Sequence, residues 1–207
     1  IYAETVAPAL ERQIALFKDI RGKTWHDAGV WRQPDGEAYY EHALHGSTTT
    51  RLSADEVHNI GLEQAKALQA RADELLKGHG LTKGGVGERI QALYKDKRYH
   101  YPNTDAGKEK LIADLMDLVA ATSKRLPEYF GTLPKAPLKI QRVPKAIEAA
   151  APGGYYNQPS LDGARPGIYW LNLRDTAEYP KWALPTITYH EGVPGHHLQI
   201  GQAVYNR

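Results

Sequence analysis

Hydrophobic positions in the first two thirds of the chain recur at three- and four-residue steps, which predicts amphipathic helices. One helix is predicted over residues 54–77, because Ser53 followed by Glu56 is a capping-box signature at its start. A second is predicted over residues 105–126, where the leucines share one stripe. Shorter helices are predicted over residues 4–20, over residues 85–95 and after a turn at residues 34–36.

The pattern changes where proline becomes frequent, since ten of the 13 prolines lie between Pro127 and Pro194. Residues 138–143 and 167–173 are rich in aromatic and β-branched residues and are bounded by proline or glycine, which favours strands. Residues 153–159, which lie between them, are predicted to form an irregular loop.

Helical spacing resumes over residues 186–205, so the whole chain is predicted to be α+β, mostly α-helical. We expect a helical scaffold in residues 1–134, followed in residues 135–207 by the strand region and this last helix. The 207 residues fit one domain by length, so the two parts are expected to belong together.

Composition and charge exclude several classes of protein. The 26 Lys and Arg residues against 24 Asp and Glu give a net charge of +2, too balanced for us to expect a nucleic acid partner. The absence of cysteine excludes disulfides, thiolate zinc sites and iron–sulfur clusters. The most apolar stretch, residues 111–121, contains two aspartates, so we predict a soluble protein with no membrane span.

The chain begins at Ile1 rather than at Met, and it ends at Arg207 directly after an apolar segment. We therefore expect a fragment of a longer polypeptide, truncated at its C-terminus. Because a leader could have preceded Ile1, the sequence leaves the compartment open, with the periplasm and secretion among the alternatives.

The residues that demand a chemical explanation lie in the last predicted helix. Three histidines, His190, His196 and His197, together with Glu191 beside the first, are the ingredients of a metal site with a general base. Helical zinc sites place two histidines four residues apart, so that both rings project from one face. The position four residues after the first histidine, however, is Pro194.

On an undistorted helix neither His196 nor His197 could share an ion with His190, because each would lie roughly 9 Å or more along the axis. Pro194 cannot occupy a regular helix interior, so the helix is predicted to bulge or break. If the distortion absorbs two residues, His196 takes the place of the second ligand. We predict a metal pair of His190 and His196, with Glu191 activating a water molecule, and His197 stays open as the alternative second ligand.

Residues 189–199, Tyr-His-Glu-Gly-Val-Pro-Gly-His-His-Leu-Gln, resemble the mark of a large, mainly bacterial family called domain of unknown function 885. That family is similar to the helical zinc peptidases of the gluzincin group, which implies a gluzincin-like architecture and peptide-bond hydrolysis. Carried over, the resemblance makes His190 and His196 zinc ligands and Glu191 the general base of a zinc-dependent peptidase. It extends over most of the chain, namely to residues 34–40, 48–50, 155–157, 165–169 and 171–174.

The resemblance also implies a third zinc ligand, which gluzincins take from a glutamate on a later helix. No acidic residue follows Glu191, so we expect the missing C-terminal part of the same polypeptide to supply it and the isolated fragment to be inactive. In related peptidases an edge strand pairs with the peptide substrate. Residues 167–173 are expected to border the cleft in this way, and Asn172 is expected to bind a substrate amide.

Two alternative functions remain open on the sequence: a non-catalytic helical binding module that keeps the histidine segment for structural reasons, and a metal-dependent hydrolase of a non-peptide amide or ester. His42 and His45 form a weaker alternative metal pair. A nucleotide cradle at residues 22–24 is excluded because the required glycine five residues upstream is Phe17, and no Gly-x-Ser-x-Gly turn offers a serine nucleophile.

Overall fold

The computed structural model describes residues 1–24 and 26–205, and the chain divides into two units, Ile1–Ala72 and Asp73–Arg207. The chain is mostly helical with one small three-stranded sheet. This confirms the predicted α+β, mostly α-helical class.

The first unit contains helices α1 (Ala7–Arg21), α2 (Gly36–Thr48) and most of α3 (Ala54–Gly78). The predicted capping box is present at the start of α3. The backbone N–H of Glu56 donates to Ser53 Oγ at 3.3 Å, and the backbone N–H of Ser53 donates to Glu56 Oε2 at 2.8 Å. These bonds satisfy donors that the first helical turn leaves unpaired, which is why α3 begins here.

The sheet in the second unit consists of β1 (Leu138–Arg142), β2 (Gly154–Asn157) and β3 (Gly167–Leu171), in the order β1-β3-β2. β3 runs parallel to β1 and antiparallel to β2. The expectation that the segment 167–173 forms an edge strand is therefore wrong, because β3 pairs with β1 on one edge and with β2 on the other. The irregular loop predicted over residues 153–159 is also corrected, because it contains β2.

The second unit also contains helices α4 (Val86–Lys95), α5 (Asp105–Arg125), α6 (Leu184–Glu191) and α7 (His196–Tyr205). α5 packs against both β1 and α6. Residues 73–134 therefore group with the sheet, whereas the sequence pattern alone suggested a division after residue 134. The core of this unit includes the buried side chains Leu111, Leu115, Ile140, Tyr169, Leu171 and Leu184.

The apolar stretch at residues 111–121 lies within α5, where its buried positions face the core. Over the part of the chain that the structure describes, no helix is both long enough and apolar enough to pass through a membrane.

Candidate metal centre

The histidine segment lies at a break between two helices, because α6 ends at Glu191 and α7 begins at His196. The link, residues 192–195, folds back onto the end of α6. There the backbone N–H of Gly195 donates to the carbonyl oxygen of Tyr189 at 2.9 Å. The break that Pro194 predicts is therefore present in the fold.

Gly195 makes this link possible through its lack of a side chain. A Cβ at this position would overlap the carbonyl oxygens of both His190 and Tyr189. Because these oxygens belong to the end of α6, only glycine allows the chain to return so closely over it. The close approach places the start of α7 beside the last turn of α6.

Three potential ligand side chains converge at this break. The rings of His190 and His196 have centroids 4.6 Å apart and an interplanar angle of 81°. Glu191 Oε2 lies 4.0 Å from His196 Nε2. One ligand atom from each of the three residues lies within 4.8 Å of the other two, so the three side chains form a cluster that we call the His-Glu-His triad.

The carboxylate of the triad is buried, and one of its oxygens has no hydrogen-bond partner among the described residues. Glu191 is 8% exposed, and the oxygen without a partner is Oε2. The Tyr169 hydroxyl and Thr188 Oγ1 are buried nearby. Burial raises the pKa of Tyr169, the Thr188 hydroxyl opposes this, and the nearby Glu191 carboxylate raises it further.

A divalent zinc ion fits these donors on chemical grounds. Two imidazoles are ligands that zinc takes in proteins, and a carboxylate beside them can hydrogen-bond a zinc-bound water. A buried, unpaired carboxylate oxygen is costly unless a cation or a hydrogen-bond donor meets it. The orphaned Oε2 of Glu191 and the exposed ring of His190 therefore leave a polar site open to an ion.

His197, the alternative ligand, points into the protein and is 4% exposed. Its Nε2 lies 3.1 Å from the carbonyl oxygen of Ala136, and its Nδ1 lies 2.9 Å from the hydroxyl oxygen of Tyr156. Both ring nitrogens thus have protein partners, and burial lowers the pKa of His197. Of the two adjacent histidines, the structure brings His196 to His190 and directs His197 away.

Strand β2, which the sequence pattern missed, runs alongside the triad. Its Tyr156 ring stacks on His196 with centroids 6.3 Å apart. At its other end Gly154 lies against the side chain of Ile187 on α6. The three consecutive residues Tyr155, Tyr156 and Asn157 were a signal for this strand, because tyrosine favours strands, but the flanking glycines and proline outweighed it.

Asn172 has a structural role, because its side chain hydrogen-bonds the loop before β2. Its Nδ2 donates to the carbonyl oxygens of Glu148 and Ala151 at 2.7 and 3.1 Å, and its Oδ1 accepts from the backbone N–H of Arg174. The residue is 5% exposed. Both amide hydrogens are taken within the protein, so Asn172 holds the loop before β2 and has no donor left for the substrate contact expected of it.

A hollow of about 490 Å³ opens directly beside the triad. His190 and Glu191 form one side of it. The remaining walls come from the end of the preceding loop and from the outer face of α6, namely from Trp182, Ala183, Thr186 and Ile187. Sequence reasoning did not identify these residues, because none of them carries a chemical signature.

The weaker metal pair of the first unit lacks a third ligand. His42 and His45 border one small cavity together with Arg51. Within residues 1–24 and 26–205, the His-Glu-His triad is the one group in which three potential ligand atoms converge.

Comparison with known proteins places these observations in a family. The family described as "Bacterial protein of unknown function (DUF885)" matches residues 1–207. A crystal structure titled "The crystal structure of the putative lipoprotein from Colwellia psychrerythraea" is similar, with a TM-score of 0.93 and 35% sequence identity. The match covers 98% of this chain and 34% of that one, so the chain spans about a third of its relative's length. No curated protein matches the chain.

Proposed function

The chain belongs to this bacterial family of unknown function, and we propose that it carries the metal-binding part of a zinc-dependent peptidase. The observation that supports the proposal is the convergence of His190, Glu191 and His196 across the helix break. The burial of Glu191 with an unpartnered Oε2 supports it further, because a buried carboxylate oxygen is costly unless a cation or a donor such as a bound water meets it.

His190 and His196 would hold the ion as its two imidazole ligands. Catalytic zinc sites have three protein ligands and one open position. We propose that the third ligand comes from a part of the polypeptide outside these 207 residues. The much greater length of the crystallised relative is compatible with such a contribution.

Bound zinc would supply Lewis-acid polarisation of the scissile carbonyl group and of the attacking water. Glu191 accepts the proton of that water and later returns it to the nitrogen of the leaving amine. Glu191 is buried at the C-terminal end of α6, which limits the access of its carboxylate to bulk solvent.

The substrate backbone would pair with the outer edge of β2. Among the described residues this strand pairs with β3 alone, so it lies at an edge of the sheet. Tyr156 lies beside His196 and Gly154 beside Ile187, so β2 runs alongside the triad. An extended peptide added to this edge by β-augmentation would pass the triad, which gives β2 the role first expected of residues 167–173.

The test uses the full-length protein, a peptide library and measured zinc content. Glu191→Gln keeps the size of the side chain but cannot accept the proton, so we expect it to retain zinc and to lose hydrolysis by about 10²–10⁴-fold. Glu178→Gln is the matched control, because Glu178 lies on the surface and pairs with Arg174. Hydrolysis unchanged in Glu191→Gln would refute the assigned base.

The same measurements separate the two alternative functions. A protein that binds no zinc and folds to the same stability after replacement of His190 would be a non-catalytic module. A zinc-loaded protein that cleaves esters or non-peptide amides, and leaves every library peptide intact, would be a hydrolase of another substrate class.

A further inference from the structure

The hollow beside the His-Glu-His triad has a chemical character of its own. Its walls outside the triad are the Trp182 indole, Ala183, Thr186 and Ile187, which offer mostly carbon surface. We propose that it is a subsite for one apolar substrate side chain next to the scissile bond. The proposal rests on the peptidase function proposed above and specifies its substrate class.

Contacts within the protein hold the walls of this subsite. The Trp182 ring meets the Tyr94 ring edge to face, with centroids 4.8 Å apart and an interplanar angle of 75°. Ile187 lies against Gly154 of β2. A preformed apolar wall costs little ordering on binding, so a side chain that enters it gains most of the free energy of its burial.

The charges around the hollow disfavour an acidic occupant. Of the residues that line the hollow, the ionisable ones are His190 and Glu191, and both belong to the triad. The neighbouring Lys181 does not line the hollow, and its Nζ lies 4.9 Å from the centre of the Tyr101 ring. An acidic side chain would therefore face the Glu191 carboxylate without a lysine or arginine partner, which is unfavourable.

The position of the hollow agrees with a peptide on the edge of β2. Gly154 lies against Ile187 in the wall of the hollow, and Tyr156 stacks on His196 of the triad. Side chains of an extended peptide point alternately to the two faces of the sheet. A peptide whose scissile bond lies at the triad can therefore direct the side chain of a neighbouring residue into the hollow.

A charge placed in the hollow tests the proposal with zinc-loaded full-length protein. Matched peptides carry Leu, Asp or Lys at each position next to the scissile bond in turn. We expect kcat/KM for the Leu peptide to exceed that for the Asp peptide at least tenfold at one of these positions, a ratio that substrate pockets of enzymes commonly reach. Thr186→Glu should lower the value for Leu about tenfold and raise that for Lys, because the new carboxylate lines the hollow.

The control is Gln199→Glu, which adds the same charge on an exposed position of α7 outside the hollow. It should leave the Leu preference unchanged. If Thr186→Glu and Gln199→Glu alter the preference equally, or if no position next to the scissile bond prefers Leu, the subsite is refuted while the peptidase function stands.

A binding measurement without metal separates the subsite from catalysis. N-acetyl-leucinamide should change the tryptophan fluorescence of the metal-free protein, and N-acetyl-aspartamide should not. The change should be lost in Trp182→Phe and weakened in Thr186→Glu. If N-acetyl-leucinamide binds in this way but the zinc-loaded protein hydrolyses no peptide, the subsite is supported and the proposed peptidase function is refuted. If the protein hydrolyses peptides but shows no leucine-specific fluorescence change, the subsite is refuted.

Discussion

Tyr156 donates its hydroxyl hydrogen to Nδ1 of His197 over 2.9 Å, and this contact decides which of two adjacent histidines faces the candidate metal site. The carbonyl oxygen of Ala136 can only accept, so the hydrogen of the ring is on Nε2 and Nδ1 has a lone pair for the tyrosine. His197 is thereby fixed in the interior. Its neighbour His196, one residue earlier on α7, lies beside His190.

Replacement of the three histidines one at a time should separate ligands from structural residues. We expect His190→Ala and His196→Ala to lose bound zinc, because each removes one imidazole of the triad. His197→Gln should keep the zinc content and lower the stability of the fold, since it disturbs two buried hydrogen bonds. Zinc per chain by elemental analysis and urea unfolding are the measurements, and zinc loss in His197→Gln with retained fold would reverse the assignment.

The histidine pair could be predicted from sequence because proline and glycine impose strong local constraints. Pro194 forbids a regular helix, so the separation of roughly 9 Å between His190 and His196 on an undistorted helix does not apply, and Gly195 permits the close return of the chain. The direction of His197 could not be predicted in the same way. It depends on Tyr156 and Ala136, which are 41 and 61 residues away in the chain.

Gly195→Ala should damage both the fold and the metal site. A methyl group at this position overlaps the carbonyl oxygens of His190 and Tyr189, so the link must move away from the end of α6. We expect a loss of about 2–4 kcal/mol in the free energy of unfolding, as for other substitutions that force a backbone shift. Weaker zinc binding should accompany it, because the shift separates His196 from His190. Urea unfolding and a competition assay for zinc measure the two effects.

The matched control for this substitution is Gly61→Ala in helix α3. Space around Gly61 is open, and the residue lies in the interior of a helix. Alanine should therefore stabilise the protein by about 0.5–1 kcal/mol through its better helix propensity, with zinc binding unchanged. If Gly195→Ala and Gly61→Ala change the free energy of unfolding and the zinc affinity equally, the close approach at Gly195 does not support the fold or the metal site.

Asn172→Ala should act on stability rather than on substrate binding. It removes the donors that hold the carbonyl oxygens of Glu148 and Ala151, both in the loop before β2. We expect the free energy of unfolding to fall by about 1–3 kcal/mol, the range for buried groups left unsatisfied. KM for a peptide should change little. A large rise in KM at unchanged stability would restore the substrate role that the sequence suggested.

The sequence pattern misplaced β2 and β3 because their positions depend on tertiary pairing. A strand's place at the edge or the centre of a sheet depends on which segments pair with it, and pairing between Gly154–Asn157 and Gly167–Leu171 is a tertiary property. Local patterns predicted the long helices α3 and α5 within one or two residues, because capping and helical spacing act within a few positions of the chain.

An ion pair in the second unit predicts how stability depends on pH. Arg89, on α4, is 6% exposed, and it donates to Asp73 on α3 and to the carbonyl oxygen of Leu81. Lys77 donates to the same carboxylate over 2.6 Å. The hydrogen bonds from Lys77 and from Arg89 lower the pKa of Asp73 below its ordinary value of 3.8.

The pKa of Asp73 is lower in the folded state than in the unfolded state. The ionised carboxylate therefore stabilises the fold at pH values above the unfolded-state pKa, and this contribution disappears as the pH falls through the folded-state pKa. Asp73→Asn should therefore reduce stability at pH 7 and have a progressively smaller effect below about pH 4. Urea unfolding of both proteins from pH 7 to pH 2.5 measures this. Glu178→Gln, which disturbs an exposed pair with Arg174, should change stability little at pH 7. A deficit of Asp73→Asn that is as large at pH 2.5 as at pH 7 would mean that the side chain acts through its packing and not through its charge.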